Sequence, residues 1–205
     1  YQRRVRGMTD QPFILNILML GDGGVGKTST LNSYIDRVYV HSHKETETTI
    51  AVEFKQKIVQ KTFNGQAIDF KLQIWDMAGG ERFNYSKQLL KKTSAVLLIF
   101  DTSNRSSFKN LGGYIEQLKQ QNKSKFIIAG TKVDLIDKRE VSWDEAEKFA
   151  ESVDSRFVEV NNVDGTGVDF CFDLLMQKMA DSSFQEFDKM KVGETQFERM
   201  KGFCQ

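Results

Sequence analysis

The sequence predicts an α/β fold: a six-stranded, mostly parallel sheet with one antiparallel strand and helices on both faces. Three observations predict it. Short apolar runs recur along the chain, FILNILML over 13–20, AVLLIF over 95–100 and KFIIA over 125–129, the profile of strands buried on both faces. Segments of helical period lie between and after them. Two alternating segments flank Asn64-Gly65, the dipeptide a tight antiparallel hairpin wants.

Taken in order, residues 1–10 read as a basic leader or an expression remnant, with YQRRVRG ahead of Met8, and stand outside the fold. The domain spans 11–180. Its first strand, Phe13 to Leu20, stops at Gly21. A helix is expected over Thr28 to Arg37, then a polar loop to Thr48. Thr49 to Gln60 alternates through Ile50, Val52 and Phe54, and Ala67 to Trp75 alternates again, making the antiparallel pair. After the strand Ala95 to Phe100 comes a single helix with Phe108, Leu111, Ile115 and Leu118 on one face. Lys125 to Ala129 is the next strand. Ser142 to Val153 opens S-W-D-E, a capping box with Ser142 at the cap and Glu145 three residues on. Arg156 to Val160 is the sixth strand, and Val168 to Ala180 closes the domain as an amphipathic helix. The tail, 181–205, carries Phe184, Phe187 and Met190 at spacing three, so it either continues as a helix or stays a solvated segment.

Composition narrows the function classes. With 29 Lys plus Arg against 28 Asp plus Glu, a net charge of +1 gives no global pull toward nucleic acid or an anionic membrane. A charged fraction of 28% beside 16 Phe excludes a disordered chain. Two cysteines, Cys171 and Cys204, fit a reducing, cytoplasmic compartment, and Cys171 falls among apolar positions of the closing helix. Two histidines, His41 and His43, read as a solvated pair and leave a histidine triad or zinc protease without its residues. No apolar run approaches the length that spans a bilayer.

Ligands of such sheets bind beyond the strand C-termini, so the loops there carry the candidate sites. The loop after the first strand, Gly21-Asp22-Gly23-Gly24-Val25-Gly26-Lys27-Thr28, matches G-x-x-x-x-G-K-S/T between a strand and a helix. There the backbone from Gly23 through Ser29 can turn its N–H groups on phosphate oxygens, with the helix dipole behind them. Lys27 would bridge β- and γ-phosphates, and the Thr28 hydroxyl would ligate Mg²⁺. Next, Asp76-Met77-Ala78-Gly79 ends the third strand: Asp76 can hold Mg²⁺ through water, and Gly79 can offer its N–H to a γ-phosphate. Finally, Thr131-Lys132-Val133-Asp134 follows the fifth strand. The Asp134 carboxylate suits the paired N–H and NH₂ donors of guanine, and the Lys132 stem can lie along the base. Adenine offers no such donor pair, which disfavours an adenine-nucleotide kinase or ATPase.

These residues resemble the Ras superfamily of small GTPases, and within it the Rab branch. KLQIWDMAGGERF over 71–83 is similar to the Rab stretch K-L-Q-I-W-D-T-A-G-Q-E-R-F, and TIAVEF over 49–54 to T-I-G-V-D-F. The resemblance covers about 13–180 and implies the P-loop small-GTPase fold, GTP or GDP as ligand, and Mg²⁺. It implies two switch loops ordered by the γ-phosphate, and partners (exchange factor, activating protein, effectors) bound through 38–54 and 76–93. It places Thr49 on Mg²⁺ and the γ-phosphate, and Tyr39 against guanine, where loop packing is the alternative. Asn161, Asn162 and Val163 occupy the last guanine-binding motif, the Asn162 N–H facing guanine O6.

Several positions depart from the family. Gly80 replaces the glutamine that orients the attacking water, so Lys27, Thr49, Gly79 and the side-chain-free Gly80 make up the expected catalytic set. Thr131 replaces the usual Asn, Val163 the lysine that stacks on the base, and Leu90-Lys91 the Rab tyrosine pair. The first switch is about three residues longer than is usual. Rab chains usually end in two prenylated cysteines; here Cys204 is penultimate and alone and Gly202 is fourth from the end, so a peripheral place on endomembranes is expected without a clear lipid signal. Two readings follow: a slow Rab-like GTPase switch, or a hydrolysis-deficient, constitutively loaded scaffold.

Overall fold

The computed structural model describes residues 12–40, 52–63, 66–77, 87–121 and 125–190. In chain order these form β1 (Phe13–Leu20), α1 (Lys27–Ile35), β2 (Glu53–Phe63), β3 (Gln66–Asp76), α2 (Lys87–Lys92), β4 (Ala95–Asp101), α3 (Arg105–Lys109), α4 (Leu111–Gln120), β5 (Phe126–Thr131), α5 (Trp143–Ser152), β6 (Phe157–Glu159) and α6 (Val168–Met190). The sheet runs β2-β3-β1-β4-β5-β6, parallel throughout except for β2, which pairs antiparallel with β3. The expected α/β class and topology hold. Since five strands point the same way, their C-termini gather at one edge.

Two apolar layers flank the sheet. On one face α1 and α6 cover Leu15, Ile17, Leu72, Leu97 and Ile127, with Tyr34 stacked on Phe172 at 3.8 Å. On the other, Leu18, Leu98, Phe100 and Ile128 meet Phe108, Leu111, Ile115 and Leu118, all four buried as their spacing requires.

Three elements differ from expectation. The helix bearing those four residues is interrupted at Asn110, which caps both α3 and α4. Its side chain donates to Asp22 Oδ2 at 2.7 Å instead of facing solvent, and Gly112 and Gly113, poor helix formers, follow it. On β2 the apolar residues Phe54 and Ile58, with Val52 just before the strand, take the exposed face, while Lys55, Lys57 and Lys61 lie half-buried over α1 and α6. Lysine stems can cover apolar surface provided the ammonium finds acceptors. Here Lys55 reaches Asn32 and Asp36 at 2.6 Å each, Lys57 the Tyr34 carbonyl, and Lys61 the Asp173 carboxylate at 2.7 Å. The capping box is half made: Ser142 Oγ accepts from the Glu145 N–H at 3.2 Å, but the Glu145 carboxylate turns to Arg105 at 2.6 Å. The last helix continues past Ala180 to Met190. The Asn64-Gly65 turn, the leader, His41, His43 and residues 191–205 lie outside the described residues.

Candidate functional site

The loop joining β1 to α1 sits at the edge where the parallel strands end. Gly26, the residue before α1, has φ +94°, a left-handed conformation that a side chain resists; a Cβ there would also stand 3.2 Å from Asn162 Nδ2. Val25 is buried in the core, so it offers the site only its backbone. Lys27 is 5% exposed, and its ammonium donates to the carbonyls of Gly21 at 3.0 Å and Asp22 at 2.8 Å, clipping the loop across its own mouth.

At the end of β3, Asp76 is fully buried one strand away from this loop. The Thr28 hydroxyl donates to Asp76 Oδ2, and Asp76 Oδ1 has no hydrogen-bond partner. Burial pushes the Asp76 carboxyl above its ordinary range, against the Thr28 hydrogen bond and the Lys27 charge. Burial likewise lowers the Lys27 amine, opposed by Asp76 and Asp22. The Asp76 charge is thus supported first by the Thr28 hydroxyl and then by Lys27, and the Lys27 charge first by Asp76. A carboxylate oxygen and a hydroxyl side by side form a hard-oxygen donor set of the kind Mg²⁺ takes, and an orphaned buried carboxylate oxygen is rare without such a use.

The loop after β5 brings the third motif to the same edge. Thr131 is fully buried; its hydroxyl donates to the Val25 carbonyl and lies 3.1 Å from the Phe100 carbonyl. Lys132, at φ +57°, sets its ammonium on Asp101 Oδ2 at 2.8 Å, which fixes where its stem runs. Asp134 follows in the turn closed by the Leu135 N–H on the Lys132 carbonyl at 3.0 Å.

After β6, residues 161–166 curl back on themselves. Asn161 Oδ1 accepts from the Val163 N–H at 2.9 Å, and the Asn161 carbonyl from the Gly165 N–H at 2.8 Å. Asn162 points inward, 3% exposed, with Nδ2 on Thr30 Oγ1 at 3.1 Å and the Gly26 carbonyl at 3.4 Å. The Tyr39 ring lies on Gly165, where a Cβ would come within 2.6 Å of it, and the Val40 N–H donates to the Asn162 carbonyl at 2.8 Å.

The structure therefore brings together residues 23–29, Asp76, residues 131–134, residues 161–163 and Tyr39. Thr49, Gly79 and Gly80 lie outside the described residues. Among the described residues, sequence reasoning missed a second support of the phosphate loop. The Asp22 carboxylate, buried beneath the loop, accepts from Asn110 Nδ2 at 2.7 Å and Tyr114 Oη at 3.2 Å. It missed Asp101 and Thr30 as well. Only Asp101 left a local signal, an acid at a strand C-terminus.

The Ras family model matches residues 16–181. The Ras-related protein RabC of Dictyostelium discoideum is 30% identical over 171 residues, covering 82% of this chain and 85% of its own. Rab-27A of Rattus norvegicus is 32% identical, covering 83% and 82%, and Rab-1D of Dictyostelium discoideum 34% identical, covering 80% and 78%.

Proposed function

This chain belongs to the Ras family as a Rab-like small GTPase, and from that premise we propose a Mg²⁺-dependent GTP/GDP switch with slow intrinsic hydrolysis, acting in vesicle trafficking. The observation that carries the proposal is the group of buried Lys27 and Asp76 with half-buried Thr28 at the mouth of the glycine loop. Backbone N–H groups from Gly23 to Ser29 cradle the phosphates, and Lys27 presents its charge from the clip on Gly21 and Asp22. Thr28 and Asp76 would hold Mg²⁺, Asp76 directly or through a bound water, with Thr49 joining them by the family resemblance. Held there by Thr28 and Asp76, Mg²⁺ would supply positive charge that offsets the charge of the bound phosphates.

At the other end, Asp134 reads the guanine donors, the Lys132 stem lies along the base, and the Asn162 N–H faces O6. Tyr39 closes the base edge from its seat on Gly165. Hydrolysis needs a water held in line with the γ-phosphate, the task of the family's glutamine. Gly80 has no side chain, and loss of one such preorganised group lowers a rate by about 10²-fold. Gly23, also without a side chain, leaves room for an arginine supplied by an activating protein. Exchange factor, activating protein and effectors engage 38–54 and 76–93. The Phe54 and Trp75 rings, 4.9 Å apart on the open sheet face, offer an apolar foothold there. The chain works in the cytoplasm and on endomembrane surfaces. The constitutively loaded scaffold is the second reading, favoured by Gly80 and Val163.

Two measurements test this reading: the nucleotide that co-purifies with the chain, and single-turnover γ-phosphate release with and without Gly80→Gln. A guanine nucleotide is expected, with very slow release that Gly80→Gln raises about tenfold or more. Equal binding of GTP and ATP would sink the base assignment. An unchanged rate in Gly80→Gln would move water positioning elsewhere, and release in neither protein supports the scaffold.

A further inference from the structure

Two consecutive peptide units of the phosphate loop are held from behind. The Thr131 hydroxyl takes the Val25 carbonyl. The next carbonyl, that of Gly26, faces three donors: the Thr30 N–H at 2.9 Å, the Thr30 hydroxyl at 2.9 Å and Asn162 Nδ2 at 3.4 Å. Asn162 Nδ2 also reaches Thr30 Oγ1 at 3.1 Å, closing a triangle between α1, the loop and the segment after β6. Both side chains are buried, Thr30 fully and Asn162 to within 3%. Burying two polar groups where apolar ones would fill the space costs free energy unless each finds a partner. These two find each other, across 132 residues of sequence.

A trans peptide is rigid and planar, with C=O and N–H on opposite sides. Fixing the Gly26 carbonyl inward therefore turns the Lys27 N–H outward, past the N-terminus of α1, toward the ground where phosphates bind. The same Asn162 sits in the loop whose backbone faces the base, and its carbonyl accepts from the Val40 N–H at the start of the 38–54 segment.

We propose that Thr30 and Asn162 form a positioning pair that aims the phosphate loop and ties it to the base loop, so that a bound guanine nucleotide is released slowly. The two side chains touch no substrate; they act through the Gly26 carbonyl and through the backbone of Asn162, whose N–H the proposed function places at guanine O6. This inference rests on the nucleotide-binding reading above.

The test uses the full chain loaded with a fluorescent GDP and chased with excess unlabelled GDP in Mg²⁺. Asn162→Ala and Thr30→Val should each release GDP about tenfold faster, the effect of about 1.4 kcal/mol, one buried hydrogen bond. Association should stay within about twofold of the unmutated rate, because the loss falls on the bound state. Thr30→Ser, which keeps the hydroxyl, should release like the unmutated chain. The double variant should be about as fast as either single one, since both remove one coupled contact. A hundredfold product would mean two independent effects and would overturn the pairing. Lower melting temperatures with unchanged release would show a pair that only packs, and would overturn the proposal too. If Asn162→Ala does not fold, Thr30→Val against Thr30→Ser decides it: equal release from those two refutes the pair. Failure of the unmutated chain to bind GDP would instead refute the nucleotide reading itself, and this inference with it.

Discussion

Thr131→Val isolates the other brace of the phosphate loop. Valine keeps the volume and branching of threonine and removes only the hydroxyl, so packing changes little at this fully buried position. What goes is the donor to the Val25 carbonyl and its approach to the Phe100 carbonyl at 3.1 Å. A hydroxyl has one hydrogen, so one strong hydrogen bond is lost, and the carbonyl left behind has no water to turn to. Such a loss costs about 1–3 kcal/mol. Part of it falls on folding, where each kcal/mol lowers Tm by about 2–4 °C for a domain of this size. The rest falls on the ligand, because the Val25 carbonyl sets the direction of the Gly26 N–H across a rigid peptide. A cost of 1–3 kcal/mol paid wholly at the site would be about 5- to 150-fold in affinity, and division between the two puts the expected loss near tenfold. Thermal melting of the unliganded chain and titration with a fluorescent GDP separate the shares. A variant within 1 °C and about twofold of the original on both measures would refute the reasoning, since it would mean that the buried hydroxyl holds nothing.

Two further outcomes are expected. Gly112→Ala in α4 should stabilise the chain by about 0.5–1 kcal/mol in urea unfolding, because a Cβ there meets no atom within 4 Å and alanine favours the helix; a lower midpoint would contradict it. Asp134→Asn should weaken GTP and favour xanthine nucleotides in competition binding, because an amide donates to the C2 carbonyl of xanthine; unchanged preference for GTP would remove Asp134 from base recognition.

Much of the fold was legible because two-sided burial leaves a plain trace. β1, β4 and β5 are apolar runs that end where the chemistry begins, and all three lie where those runs stand. Alternation identified β2 as a strand but said nothing of which face was covered. That is decided by α1, its cap and α6, where Asn32 and Asp36 receive Lys55, the Tyr34 carbonyl receives Lys57 and Asp173 receives Lys61, leaving Phe54 and Ile58 outside. The break at Asn110 was hidden in part for the same reason: beside the local Gly112 and Gly113, the Asn110 side chain is tied to Asp22, 88 residues away. Local pattern reports period and caps; it does not report a partner on another element.

The same limit shaped how the motifs were read. A motif credits each residue to the ligand, so Thr131 reads as a departure that loses a contact to the base, and Asn162 as a backbone N–H facing it. Their side chains are buried and face the loop's carbonyls. A site that binds through backbone N–H groups tolerates new side chains wherever the backbone is still held. A threonine hydroxyl on the Val25 carbonyl meets that condition. So does an asparagine amide on the Gly26 carbonyl, provided position 30 answers it with a hydroxyl, as it does. Val163 is different. It is 40% exposed, its N–H is held by Asn161, and its side chain has neither the reach nor the charge of the lysine the family carries there. On the proposed nucleotide reading, Val163 is therefore the departure that takes a contact away from the base, while Thr131 holds the loop from behind.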